Sequence, residues 1–401
     1  MNKYFCAAPF RNLEVRGEGR CTVCCKIDSH ILDENGEPYH MYDTDISTVW
    51  NSKWMNDFRE RFVEEEKRPE CHRCWDDEEA GTRSLRQQIN LDKYHIQRVV
   101  EEPRIEELVL KFSNKCNCAC RICDWYLSSL WEQELAKSGR LDVELHRPWF
   151  AGNEKNKITD DNWDDWKKNL DKVFQVSLYG GEPLINEEAL RVIDYLVDSG
   201  RSREVSLVLN TNSTVTNKAI FDKLNQFNRV DLNFSVDDIG HRYDYERWPS
   251  KSANIFKELK ELHDTENYNN INIGLYTTIS IFNVLHLGDI LEKFRDYNKW
   301  KVNFENMAYI PKQLNMSLLP EVVKPKVEEY LLSVDWRNTN WHRENHDYKT
   351  AIINFLYLQK SPWTCEGYVI ELDKKLGIDD KRRNQNWRET FPKLYDLLLQ
   401  I

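Results

Sequence analysis

The chain has 401 residues, 40% hydrophobic and 31% charged, with a net charge of −11, which is enough for about two to three domains with a sizeable core. The acidic balance argues against bulk nucleic acid as a partner, because wrapping a polyanion needs clustered Lys and Arg. The most apolar run, residues 352–358, is interrupted by Asn354 and falls far short of the ~20 residues that span a bilayer. The N-terminus MNKYFCAAPFRNLEVRGEGR turns charged too soon for a secretory signal, so the expectation is a soluble, cytoplasmic protein away from membranes.

Residues 1–100 read as turn-rich, cysteine-rich and short of regular strands. The chain holds eleven cysteines, ten of them within the first 123 residues. An odd count with CxxC spacing points to metal or iron–sulfur ligation instead of a disulfide framework. Cys6, the Gly19-x4-Cys24 unit and Cys71-x2-Cys74 are candidates to converge on one site. Cys21 or Cys25 can replace Cys24, and spacing does not decide between them. A set of four thiolates also suits structural zinc. Glu78 and Arg86, close by, read as helix-capping charges.

After Glu101-Glu102-Pro103 the texture changes. Strand-like runs at Glu107–Phe112, Lys172–Tyr179, Glu204–Asn210, Arg229–Val236, Asn270–Ser280 and Trp300–Glu305 alternate with helical patterns. Asn186 reads as an N-cap with Glu187 and Glu188 in the first turn. Leu190, Ile193, Leu196 and Val197 form one apolar face, and Gly200 ends that helix. A second helix starts near Ser252 and a third spans about Leu285–Phe294. Alternating βα units predict a parallel sheet with helices outside. Six strands are too few for a closed barrel, so the expected fold is α/β, a partial (β/α)6 TIM-like barrel. Apolar residues alternate with polar ones along the strands: Phe174, Val176 and Leu178; Leu232, Phe234 and Val236; Ile271, Ile273 and Leu275. The helices need the apolar face, which predicts a polar, substrate-holding interior. The tail from about residue 320 reads as helical. The expected domains are 1–100, 101–320 and 321–401.

The stretch CNCACRIC follows the first barrel strand, at the end where (β/α) barrels carry their active sites. Cys116, Cys120 and Cys123 have the spacing C-x3-C-x2-C. A loop of this kind can wrap three thiolates around a four-iron cluster and leave one iron open to a small molecule, like the open position of a catalytic zinc. YGGEP, Tyr179 to Pro183, ends the second strand, and its glycines allow close backbone approach to a ligand. LNTN ends the third strand and FSVDD the fourth, which puts Asn210, Ser235 and Asp237 at the polar face. Arg247 lies in the YERW stretch just beyond.

In these motifs the sequence resembles the radical S-adenosylmethionine superfamily over most of its length. The resemblance implies that Cys116, Cys120 and Cys123 hold a [4Fe–4S] cluster, with Cys118 a bystander, and that Ile122 contacts adenine. It implies that Tyr179, Gly180, Gly181, Glu182 and Pro183 hold the cofactor's amino group. It further implies that Asn210, Ser235, Asp237 and Arg247 serve its ribose or carboxylate. The N-terminal segment resembles the twitch module, a shortened relative of the SPASM domain, placed here ahead of the barrel. That likeness assigns Cys6, Cys24, Cys71 and Cys74 to an auxiliary [4Fe–4S] cluster. The implied reaction is reductive cleavage of S-adenosylmethionine to a 5′-deoxyadenosyl radical, which abstracts hydrogen from a substrate. A donor such as flavodoxin or ferredoxin would supply the electron. The first expectation for the substrate is a ribosomally made peptide. A dehydrogenase or epimerase acting on a small sugar or nucleotide is second, and a non-catalytic iron–sulfur electron carrier is the rival class.

Overall fold

The structure, a computed structural model, describes residues 3–64, 66–79, 84–91, 97, 98, 100–141, 158–264, 268–297, 299–336 and 348–399. The chain is an α/β protein that divides into two compact units. One comprises Met1–Cys116, Leu135–Leu209 and Asp222–Val230; the other comprises Asn117–Glu134, Asn210–Phe221 and Asp231–Ile401.

In the first unit the strands run in the order β2 (Cys21–Thr22), β1 (Asn12–Val15), β3 (Glu107–Leu110), β4 (Gln175–Leu178) and β5 (Ser206–Thr211). β1 and β2 are antiparallel and the remaining pairs are parallel. Register places Asn12 beside Glu107 and Glu107 beside Gln175, so like faces align across the strands. One face is apolar and fully buried, with Leu13, Leu108, Val176 and Leu207 at 0% exposure. The other is polar and bonded within itself: the Glu107 carboxylate accepts from Asn12 (3.1 Å), Gln175 (2.6 Å) and Ser177 (3.3 Å). Both faces match the alternation read from the sequence.

Three local outcomes differ from, or sharpen, the sequence reading. Residues 1–100 do contain regular strand. NLEV is too short to stand out as a periodic run and becomes a strand by pairing with β3. Phe174, expected on the apolar face, is 46% exposed. It lies before β4 begins, beneath the Arg104 guanidinium, 5.4 Å from the ring centre. The helix Glu187–Asp198 forms as expected, with the Asn186 side chain accepting from Ala189 N (3.0 Å) and Gly200 left-handed at φ +77°.

The second unit holds β6 (Arg229–Ser235, from Asp231 onward), β7 (Ile271–Ile279) and β8 (Lys301–Met307). β7 and β8 are parallel, with an irregularity between Tyr276 and Thr278. Leu232, Phe234, Leu275, Ile279 and Phe304 are buried. Beyond residue 320 come the helices Lys324–Ser333, Tyr348–Leu356, Cys365–Arg383 and Pro392–Leu399. Phe391, between the last two, stacks on Phe282 at 4.6 Å and meets the edge of Tyr245 at 5.3 Å. Among the described residues no helix is long and apolar enough to cross a membrane.

Phe391 is wholly buried, so Phe391→Ala removes a large aromatic group from a filled site. The expected cost is about 3–5 kcal/mol, read as a lowered thermal unfolding midpoint in calorimetry.

Candidate functional site

Two groups of cysteines stand out, and no disulfide joins any cysteine among the described residues. In the first unit, Cys6, Cys24, Cys71 and Cys74 line a single small pocket, together with Ile27, Leu85, Ile89, Lys26 and Arg86. Each cysteine is delivered by a different local device. Cys24 follows β2. Cys71 closes the short 3-10 turn Pro69–Cys71, and Cys74 sits in the helix His72–Glu79 that continues from it. The segment bearing Cys6 is pinned by Asn90, which accepts from Ala7 N (2.9 Å) and donates to Phe5 O (2.7 Å). Arg86 also donates to Phe5 O (2.7 Å) and is ion-paired with Glu78. The two charges read as helix caps therefore form a buried clamp instead. Of the three alternatives around position 24, Cys24 lines the pocket. Cys21 is wholly buried elsewhere, its thiol 3.9 Å from Gly19 O, and Cys25 is exposed.

The chemistry of this donor set fits a cationic cluster. Burial pushes the Cys6 and Cys71 thiols up to about 12 and raises Cys24 as well. Thiols shifted in this way stay protonated unless positive charge meets the sulfurs. No three Cys, His, Asp or Glu side chains among the described residues close on one point as ligands of a single ion would. The fit therefore rests on four thiols lining a common space.

The second group begins at the end of β3. Cys116 is half-buried, and the YGGEP turn packs against the backbone just before it. Glu182 N donates to Lys115 O (2.8 Å). Gly180 and Gly181 are left-handed at φ +79° and +53°. A Cβ on Gly181 would come 2.4 Å from Lys115 O, so only glycine fits there. Glu182 is wholly buried, and its Oε1 accepts from Leu184 N (3.1 Å), capping the turn Pro183–Ile185. Pro183 is buried, and Tyr179 is half-buried with its N–H on Leu110 O (2.9 Å).

In the second unit the loop from Asn117 onward is tied down along its main chain. Ala119 N donates to Trp248 O (2.7 Å) and Arg121 N to Glu246 O (2.7 Å). Ser128 Oγ donates to Cys118 O (2.6 Å) and Trp131 Nε1 to Cys120 O (2.7 Å). The Cys120 thiol meets those of Cys118 and Cys123, whose hydrogen bonds hold it well below the ordinary thiol range against the opposing effect of burial. Arg247 and Arg383 add to that stabilisation of the thiolate. Cys118 packs within the same loop. Its sulfur lies 3.1 Å from Ser250 Oγ and 3.4 Å from Asn212 Nδ2. Ile122 is half-buried.

Asp237 and Arg247 form a buried ion pair, Nε to Oδ2, at 2.8 Å. Asp237 Oδ1 accepts from Thr278 N (2.9 Å), so both carboxylate oxygens are engaged within the protein. Arg247 Nη1 lies 3.9 Å from Cys120 Sγ. Ser235 is half-buried, and Asn210 is exposed with its Oδ1 accepting from Asn233 (2.8 Å). Sequence reasoning missed Trp131, Trp248, Asn212 and Arg383. Trp131 sits eight positions past Cys123, with no motif to mark it. Asn212 was quoted in LNTN, but its amide bond to Cys118 had no signature.

Residues 6–75 match the family model described as SPASM, an iron–sulfur cluster-binding domain. The sequence is 26% identical over 219 residues to the radical SAM cyclopropyl synthase TigE of Paramaledivibacter caminithermalis, covering 52% of this chain and 42% of TigE. It is 22% identical over 223 residues to an uncharacterized protein of Methanocaldococcus jannaschii, covering 54% of this chain and 68% of that protein. The match thus spans less than half of TigE. Among solved structures, Streptococcus suis SuiB bound to S-adenosylmethionine is similar at 13% identity and a TM-score of 0.38, covering 80% of this chain and 68% of SuiB. The chain thus carries a segment of the SPASM iron–sulfur cluster-binding type ahead of the C-x3-C-x2-C loop, and about half of its length is similar to a radical SAM synthase.

Proposed function

We propose that Cys116, Cys120 and Cys123 hold the cluster at which S-adenosylmethionine is reductively cleaved, and that Cys6, Cys24, Cys71 and Cys74 hold an auxiliary one. The observation that carries this reading is the C-x3-C-x2-C loop itself, tied down through Ala119 N, Arg121 N, Cys118 O and Cys120 O, with Arg247 Nη1 3.9 Å from the Cys120 sulfur. When bound, the cluster supplies the electron that splits the sulfonium S–C5′ bond, and the resulting 5′-deoxyadenosyl radical takes hydrogen from the substrate.

The chain's own residues bind, orient and exclude water. Arg247 is the partner for the cofactor carboxylate. Asp237 acts through it, because Oδ2 fixes the guanidinium, Oδ1 is taken by Thr278 N, and neither is left for a ribose. Ser235 and Asn210 are assigned to the ribose hydroxyls and Ile122 to the adenine. The turn Tyr179–Pro183 is assigned to the amino group, with Glu182 held rigid by the cap it makes on Leu184. The substrate we assign is a ribosomally made peptide, on the resemblance of the N-terminal segment to peptide-modifying twitch and SPASM enzymes. An auxiliary cluster held by Cys6, Cys24, Cys71 and Cys74 would supply an acceptor for the electron left on the substrate, and a flavodoxin or ferredoxin would serve as the electron donor.

Protein reconstituted anaerobically with iron, sulfide and a strong reductant is expected to turn S-adenosylmethionine into 5′-deoxyadenosine, measured by chromatography, and Cys120→Ala to abolish it. Full turnover in that variant would show that the triplet is misassigned, and no 5′-deoxyadenosine from the wild type would favour a plain electron carrier.

Two four-iron clusters give about eight irons per chain. Cys24→Ser is expected to lose about half of that iron by elemental analysis, whereas Cys21→Ser and Cys25→Ser retain it. Zinc in place of the second cluster would remove the auxiliary redox role.

A further inference from the structure

The loop bearing Cys120 and Cys123 is gripped by the C-terminal helix Cys365–Arg383 and the turn after it. Arg121, its side chain 1% exposed, donates from Nη2 to Asp380 Oδ1 (2.6 Å) and Gln385 Oε1 (2.9 Å). Arg383 is buried as deeply and lies between two indoles, 4.4 Å from the Trp131 ring centre and 4.6 Å from that of Trp248. These are the tryptophans that bond Cys120 O and Ala119 N. Glu134 Oε2 lies 2.7 Å from Arg383 Nη2, Asp379 adds a second negative charge nearby, the Arg121 guanidinium opposes both, and Glu134 is shared with Arg382 at 3.9 Å. Arg383 Nε and Nη1 find no acceptor among the described residues.

Burying an arginine this way is costly, and packing alone would be served by an apolar side chain. Inside the protein its field reaches the loop with little screening, and net charge nearby is one determinant of an iron–sulfur potential. We propose that Arg383 and Glu134 are an electrostatic positioning pair that sets the reduction potential of the cluster held by the Cys120–Cys123 loop, the cation favouring the added electron and the anion restraining it. This rests on the reading that Cys116, Cys120 and Cys123 hold that cluster.

The test is a redox titration of the reconstituted holoenzyme, followed by the electron paramagnetic resonance signal that responds to added S-adenosylmethionine, with iron content measured alongside. Arg383→Met is expected to make cluster reduction about tenfold less favourable, a fall of ~59 mV for a one-electron couple. Glu134→Gln is expected to shift it the opposite way, and Arg383→Lys to stay near the wild-type value. A loop that is merely loosened would move both Arg383→Met and Glu134→Gln in the same direction, and that result, or no shift in either, overturns the proposal. Where Arg383→Met fails to retain iron, Glu134→Gln decides alone: a rise supports the pair and any other result overturns it. A wild-type signal that ignores S-adenosylmethionine sinks the underlying assignment of the triplet and this proposal with it. An intact responsive signal with unmoved potentials sinks this proposal only.

Discussion

A thiol removed from water ionises only when positive charge or hydrogen-bond donors meet the sulfur, and that constraint organises both cysteine sites. In the N-terminal pocket Cys6, Cys24 and Cys71 are pushed upward by burial, with Cys6 and Cys71 reaching about 12. Their pocket is lined on one side by Ile27, Leu85 and Ile89, which offer the sulfurs nothing polar. A cationic cluster is what such a set lacks. Cys120 is as deeply buried, yet it is held down, because Cys118 and Cys123 bond it and two arginines lie near. Opposite shifts in the same residue type reflect what surrounds each sulfur.

The acid–base logic around β6 follows from the same rule. Asp237, Asp238 and Glu246 are all fully or almost fully buried within ten residues. Asp237 spends its oxygens on Arg247 and Thr278 N, and Asp238 accepts twice from Arg242 at 2.9 Å. Glu246 has no partner for either oxygen among the described residues and is raised well above the usual carboxylate range, burial being the main cause. It is therefore best carried as the neutral acid, while its backbone carbonyl takes Arg121 N. Keeping Glu246 uncharged leaves Asp237 as the carboxylate paired with Arg247, and Nη1 of the guanidinium lies 3.9 Å from the Cys120 sulfur.

What could be read from the sequence was whatever leaves a local trace. Asn186 caps because an Asn before two glutamates has one good use. Gly180 and Gly181 are required by positive φ and by the backbone of Lys115. The alternation along β4 and β6 sorted the two faces of those strands, Phe174 excepted. Contacts made across long sequence separation left no such trace. Arg383 reaches Trp131 and Glu134 from some 250 positions away, and its neighbours Arg382 and Lys381 make it look like one member of a solvated basic run. Cys21, Cys24 and Cys25 are equivalent by spacing, and only the turn after β2 decides which sulfur enters the pocket. Asp237 was placed correctly on its strand, but its commitment to Thr278 depends on a neighbouring strand some forty residues on.

β1 is the least conspicuous of these long-range effects and has the widest consequence. Its four residues pair in parallel with β3, Asn12 beside Glu107 through Val15 beside Leu110, and Lys111 N continues the ladder onto Val15 O at 3.0 Å. The cysteine-rich segment is therefore hydrogen-bonded to the strand that leads into Lys115 and Cys116, instead of hanging from a linker. Four-residue strands are weak alone, but this one is backed by Leu13 and Val15 in the buried face and by Tyr42, whose hydroxyl bonds Phe112 O at 2.7 Å. A pocket fixed in this way keeps a constant separation from Cys116, because strand, clamp and turn belong to one packed unit.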